Sequence, residues 1–525
     1  MCSGADVRLA ELVGALSLAT DIGMGQPFDQ ACRTCLLGVR LAGDAGASAA
    51  DAGRAYYLAL LRFAGCTADA SEAGALFGDE LAAYAAYAPL DSGRPAEVVG
   101  WLLRHAGAGR GPAGRLRRLA GALAEGSSGA RESYRGHCEV ARRLAERLGL
   151  GPMLGRAIDH AFERWDGAGF PAGLAGETIE PAARIVALAR DVEVIARAAG
   201  PDAARAAVRA RSGRAYEPAL AELFLRRADA LLGSLEEDAS WAALMAAEPG
   251  PPRRLPEARM DDACRVMAQF ADLKSRFTLG HSEGVSELAE AAAWRAGLPA
   301  DRVTALRRAG LLHDLGRVGV PAGVWDRPGP LSDGEWECVR LHPYYTERIL
   351  GRADVLRPYA TLAASHHERL DGSGYHRGCG HRELDLPARL LGAADVYRAM
   401  TEERPHRPAL ALDAAAAELE REAGLGRLDG DAVRLVLSAA GRPADRPRRP
   451  MPAGLTEREA EVLGLLARGL SNRQVGARLG ISPKTVGHHV GHIYAKIGVS
   501  TRPGATLFAV EHDLIARTGT VRAGS

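Results

Sequence analysis

Apolar residues along this chain recur every three or four positions and almost nowhere every second one. Val285-Ser-Glu-Leu-Ala-Glu-Ala-Ala-Ala293 has this period, and so does Val303-Thr-Ala-Leu-Arg-Arg-Ala-Gly-Leu-Leu-His-Asp314. That spacing puts one apolar stripe on a helix of 3.6 residues per turn, whereas a strand facing a core would alternate. The pattern predicts an all-α protein built from duplicated helical bundles and a small helix-turn-helix domain. It is broken twice by proline, at Glu248-Pro-Gly-Pro-Pro-Arg-Arg-Leu-Pro256 and between Gly441 and Pro452. Proline at this density opposes helix and sheet alike. The predicted domains are 1–245, 261–440 and 454–520, with linkers at 246–260 and 441–453.

The first two domains repeat one another. Phe162-Glu-Arg-Trp-Asp-Gly-Ala-Gly-Phe170 parallels His367-Glu-Arg-Leu-Asp-Gly-Ser-Gly-Tyr375 at a shift of 205, which also carries His137 onto His342 and Arg190 onto Asp395. Tyr57-Leu-Ala-Leu-Leu-Arg-Phe-Ala-Gly65 parallels Arg308-Ala-Gly-Leu-Leu-His-Asp-Leu-Gly316 at a shift of 251, and Gln30 then faces His281. Such internal similarity points to duplication.

The last domain opens with two capping boxes, Thr456 with Glu459 and Ser471 with Gln474. Gly480 ends the second helix. Ser482 caps a third, with Pro483 in its first turn. Short helices joined by so tight a turn form a helix-turn-helix. Residues 451–525 carry nine Lys or Arg against five Asp or Glu, with four His besides, a balance suited to phosphate contacts.

Composition adds little elsewhere. The net charge of +1 gives the whole chain no nucleic-acid bias. The eight cysteines are scattered, and Cys32-Arg-Thr-Cys35 stands at helical spacing among apolar neighbours, as buried thiols do. No charged-then-apolar leader opens the chain and no apolar run could span a bilayer, so the expected location is cytoplasmic, with no membrane contact.

The chemistry concentrates in the second domain. His281, His313, Asp314, His342, His366, His367 and Asp395 are all nitrogen or oxygen donors, and eight of the 15 histidines lie between 281 and 406. Imidazole and carboxylate are the usual ligands of Fe, Mn, Ni or Zn. Two such ions can activate water against a phosphate ester. The first domain has Arg62 and Phe63 opposite His313 and Asp314, Ala161 and Phe162 opposite His366 and His367, and Arg190 opposite Asp395. Arginine repels a cation, so this copy is expected to be metal-free and without activity. Packing, dimerisation and signal binding all stay open as its role.

The donors and their neighbours resemble the HD-GYP branch of the HD phosphohydrolases over roughly 262–440. The matching stretches are Thr278-Leu-Gly-His-Ser282, Leu312-His-Asp-Leu-Gly-Arg-Val-Gly-Val-Pro321, Leu341-His-Pro343, His366-His-Glu-Arg-Leu-Asp-Gly-Ser-Gly-Tyr375 and Arg389-Leu-Leu-Gly-Ala-Ala-Asp395. The resemblance implies that His281, His313, Asp314 and Asp395 hold one ion, and that Asp314 bridges to a second held by His342, His366 and His367. Some relatives bind a third ion through a Glu where this chain has Phe277, so two ions are expected. It further implies hydrolysis of cyclic di-GMP. Asp314 and Arg317 would be catalytic, and Arg317, Asp371, Gly372, Gly374 and Tyr375 would meet the substrate. Arg317 replaces the usual Lys and His376 the usual Pro, whereas the first domain keeps that proline as Pro171.

The segment from Leu455 to about Leu514 resembles the LuxR-type DNA-binding domain, including Lys496, Ile497, Val499 and Ser500-Thr-Arg502. The resemblance implies that the helix Pro483–Ile497 enters the major groove, with Lys484, Thr485, His488, His489 and Lys496 as contacts and a homodimer as the acting form. Gly487 and Gly491 remove side chains that often read bases. The expected function is transcriptional regulation coupled to cyclic-dinucleotide hydrolysis. The alternative is an inactive platform that senses a nucleotide, or only dimerises, and so controls the DNA-binding domain.

Overall fold

Helix follows helix through the computed structural model, which describes residues 6–108, 111–237, 239–441 and 451–515. Apart from isolated bridges, the β structure among the described residues is one antiparallel pair, Val7–Arg8 with Arg254–Leu255. The expected fold class is therefore found. The chain divides into two compact units, one running to Ala263 and one from Cys264, with the short segments Pro321–Gly323 and Arg352–Val355 grouped with the first. Within the stretch expected as the first linker, residues 254–255 form the second strand and Glu257–Arg259 a 3-10 turn. Most of the stretch expected as the second linker, 442–450, lies outside the described residues. No described helix is long and apolar enough to cross a membrane.

The repeat is visible in the backbone. A shift of 251 carries helix Gln30–Asp44 onto His281–Arg295, and Ala49–Leu61 onto Ala300–Leu312. In each unit these two helices pack on one another. Gly65 and Gly316, 251 apart, both pass against a backbone carbonyl. An added Cβ would lie 1.9 Å from His137 O at Gly65 and 2.1 Å from His342 O at Gly316. Glycine is required there because a neighbouring helix fills the place of a side chain.

The loop after the histidine pair repeats as well. Glu163 accepts N–H bonds from Ala172 and Leu174, and Glu368 from Arg377 and Cys379, at a shift of 205. The second unit buries one face of His281–Arg295 against Ala300–Leu312, Leu386–Thr401 and Gly430–Ala440. Val285, Ala289, Leu306, Leu390, Leu391 and Val436 form the centre of that core.

Beyond residue 451, both expected capping boxes form. Gly480 ends the helix Asn472–Leu479 in a left-handed conformation, and the Ser482 hydroxyl accepts from Thr485 N at the start of Pro483–Ile497. Val462, Leu463, Val475, Val486, Ile493 and Phe508 make a separate core, and Leu279 packs against it from the turn before His281. Cys32 and Cys35 are buried free thiols, as expected.

Gly316→Ala is expected to lower the denaturant midpoint of unfolding, at a cost on the order of 1–3 kcal/mol for overpacking. Gly329→Ala, whose added methyl meets nothing within 4 Å, is expected to leave it unchanged within about 0.5 kcal/mol. Equilibrium urea titrations of both variants provide the measurement.

Candidate metal centre

Each donor is aimed by the backbone that carries it. His313 caps the C-terminus of Ala300–Leu312, His342 opens His342–Leu350, and His366 follows Arg357–Ala364. In all three, Nδ1 lies close to the carbonyl three residues earlier: Gly310 at 2.7 Å, Val339 at 2.6 Å and Ala363 at 2.7 Å. A carbonyl only accepts, so Nδ1 carries the proton and Nε2 keeps its lone pair. His281 opens the helix His281–Arg295 behind Gly280, whose φ is 77°. Its Nδ1 lies 2.8 Å from the Glu402 carboxylate. These outer partners fix the tautomer and turn every Nε2 inward.

The inward atoms meet around Asp314. Its Oδ1 lies 3.3 Å from His342 Nε2 and 3.5 Å from His366 Nε2. Its Oδ2 lies 3.2 Å from His313 Nε2 and 3.8 Å from His281 Nε2. Asp395 Oδ1 is 3.1 Å from His281 Nε2, and its Oδ2 is 3.5 Å from His367 Nδ1. The donors thus form two clusters. One is His281, His313 and Asp314, the other His342, His366 and His367. Six of the seven side chains are buried, and His367 is part-exposed.

This arrangement fits bound cations. His342 Nε2 and His366 Nε2 stand 3.0 Å apart, with both rings already donating through Nδ1. Two lone pairs so close in a dry interior call for a positive charge between them. His313 Nε2 and both oxygens of Asp314 are buried without a well-formed hydrogen bond. Arg317 Nη2 comes within 2.8 Å of Asp314 Oδ2 as an ion pair.

Electrostatics keep both carboxylates ionised and divide the imidazoles. Burial would raise the Asp314 carboxyl, but Arg317 and His313 outweigh it and hold it well below the usual range. Asp395 is likewise lowered, its burial outweighed by His367 and His281. Burial brings His366 down to about 4, and burial first, then the neighbouring His366 imidazole, lowers His367 as well. At His281 burial also pulls down, yet Glu402 and Asp395 more than offset it and lift the ring to about 9. The acid-rich side of the centre therefore holds a proton at neutral pH, a charge that a metal cation can replace.

The remaining expected residues divide. Arg317 is buried with its guanidinium 4.7 Å above the Trp325 ring, and its Nε and Nη1 have no partner. Tyr375 lies with its ring centre 4.4 Å from that of His367. Asp371, Gly372 and Gly374 shape the loop. Asp371 accepts from Ser373 N, Gly372 has a φ of 77°, and a Cβ on Gly374 would come within 2.5 Å of Glu368 Cα. His376 Nε2 sits 3.7 Å from Glu347 Oε2. Sequence reasoning missed Glu402 and Glu368. Glu402 lies seven residues after Asp395, just past the end of the helix Leu386–Thr401, and Glu368 matches Glu163 across the repeat.

On the helix Pro483–Ile497, Lys484, Thr485 and His488 are exposed and His489 is half-buried. Lys496 instead ties the helix to its own domain, with Nζ 2.7 Å from Glu459 Oε2 and 3.1 Å from Gly454 O. His492, exposed and one turn beyond His488, was also missed.

Comparison with known proteins agrees with both halves. The HD domain family matches residues 123–219 and 265–432, and the bacterial regulatory proteins of the LuxR family match 453–509. The chain is 30% identical over 417 residues to 3'3'-cGAMP-specific phosphodiesterase 3 of Vibrio cholerae, covering 78% of this chain and 90% of that one. It is 36% identical over 176 residues to 3'3'-cGAMP-specific phosphodiesterase 1 of the same organism, and 32% identical over 165 residues to the cyclic di-GMP phosphodiesterase of Thermotoga maritima. Those two matches cover 33% and 31% of this chain and 40% and 45% of the relatives. The crystal structure of the cyclic GMP-AMP specific phosphodiesterase V-cGAP3 from V. cholerae superposes with a TM-score of 0.58 at 26% identity, over 84% of this chain and 99% of that one. With paired HD bundles ahead of a helix-turn-helix, the chain belongs to the HD domain family and carries a LuxR-family DNA-binding domain at its C-terminal end.

Proposed function

We propose that the second unit is a metal-dependent phosphodiesterase acting on a cyclic dinucleotide, and that the chain couples this site to transcriptional control through its LuxR-family domain. One observation carries the reading: two donor clusters face opposite oxygens of one buried carboxylate, Asp314. His281, His313, Asp314 and Asp395 would hold one cation, and Asp314, His342, His366 and His367 a second. Bound Fe, Mn, Ni or Zn would supply Lewis-acid charge toward a phosphate and lower the pKa of water.

The chain's own groups do the rest. Glu402 orients His281, and the three backbone carbonyls orient His313, His342 and His366. Arg317 offers partnerless Nε and Nη1 donors, held by Trp325, to a phosphate oxygen. Tyr375 steadies the His367 ring. The relatives act on 3'3'-cGAMP or cyclic di-GMP, so the substrate class is the cyclic dinucleotide with either base pair. A second reading, binding without turnover, is favoured by one contact: the Arg317 guanidinium on Asp314 competes with a cation for Oδ2.

On the DNA-binding side, Lys484, Thr485, His488 and His489 would meet the duplex while Lys496 positions the helix.

Metal-loaded protein incubated with 3'3'-cGAMP or cyclic di-GMP is expected to yield linear products on chromatography, and Asp314→Asn to yield none. Intact substrate with calorimetric binding would favour the sensor instead. Glu402→Gln is expected to weaken Mn²⁺ binding about 10–100-fold, read by titration. Lys484→Ala is expected to weaken duplex binding across sequences and to reduce the log–log salt slope by about one, measured by fluorescence anisotropy.

A further inference from the structure

We propose that Cys66, His137 and Asp69 in the first unit form a reactive-thiol site that takes small hydroperoxides. The three side chains are in line. Cys66 Sγ lies 3.4 Å from His137 Nδ1, and His137 Nε2 lies 2.8 Å from Asp69 Oδ2. Ser133 donates its hydroxyl to the same Asp69 oxygen at 2.6 Å. A nucleophile against a base, with the base oriented by a carboxylate, is the arrangement that activates thiols.

The repeat shows what changed. His342 in the second unit places Nδ1 on the Val339 carbonyl, whereas its counterpart His137 places Nδ1 on a thiol. Cys66 stands at the position of Arg317 under the shift of 251, directly after the close-packed Gly65 and Gly316. The first unit thus keeps a functional group where the second has its candidate phosphate-binding residue, but the group is now a nucleophile. Packing alone is already served by Gly65 against the His137 backbone.

The local field supports proton transfer. Burial would lower His137, but Asp69 and Cys66 outweigh it and leave the imidazole well above its ordinary value. Cys66 and His137 are 5% and 7% exposed, so any substrate must be small.

The step balances. Cys66 gives its proton to His137 Nδ1. The sulfur attacks one peroxide oxygen, so an S–O bond forms and the O–O bond breaks. The departing oxygen takes the proton from His137. The thiol is oxidised to sulfenic acid and the hydroperoxide is reduced to water or an alcohol.

Peptide-resolved mass spectrometry of the full chain tests this. At about pH 6.5, below the ordinary thiol value of about 8.5, iodoacetamide is expected to label Cys66 at least about tenfold faster than Cys35 and Cys264, which are fully buried. Substoichiometric hydrogen peroxide followed by a 1,3-dione trap is expected to mark Cys66 before the exposed Cys338. His137→Gln and, independently, Asp69→Asn should each lower the Cys66 rate while leaving that of Cys338 unchanged. Labelling of Cys66 no faster than Cys35, or sulfenate forming first on Cys338, would overturn the proposal.

Discussion

The donors of the second unit are arranged around one buried carboxylate. Asp314 is wholly removed from water, and an unpaired charge in that position is costly. Arg317 balances part of it. The other groups in reach are imidazole lone pairs and a second carboxylate, Asp395. The surrounding architecture serves to hold electron-rich atoms close together. Backbone carbonyls at helix ends take the Nδ1 protons, and Glu402 does the same for His281. Such a centre makes electrostatic sense once cationic charge joins it.

The first unit carries cationic and aromatic side chains at the positions of several donors. Arg62 stands where His313 would be, its guanidinium 5.0 Å from the Phe162 ring and 5.5 Å from Phe63. Arg190 replaces Asp395 and donates to the Ala88 carbonyl. The charge is built into the chain and faced with aromatic rings. Yet the helix pairing, the close-packed glycine and the Glu163 loop clasp persist. The repeated fold thus carries different side chains at its corresponding positions.

Much of this was legible in the residues. Helical period, proline breaks and capping boxes gave the all-α class and the starts of the helices at Glu457, Asn472 and Pro483, because these signals are local. The seven donors were legible as a set because the repeat and the family pattern both mark them. The outer partners were not. Glu402 acts through a tertiary contact with a residue 121 positions away, and Lys496 is drawn to Glu459 by the fold of its own domain. The loop residues Asp371, Gly372 and Gly374 look alike in sequence to Tyr375, but only Tyr375 reaches the donors, since the glycines are needed for backbone passage.

The turn before His281 has two allegiances. Thr278 accepts from the His281 backbone N–H, and Arg404 links the Phe277 carbonyl to Glu402. One residue before Gly280, Leu279 is seated among the apolar side chains of the LuxR-family domain. Four consecutive residues, 278–281, thus contribute both to the seat of His281 and to the packing of the C-terminal helices.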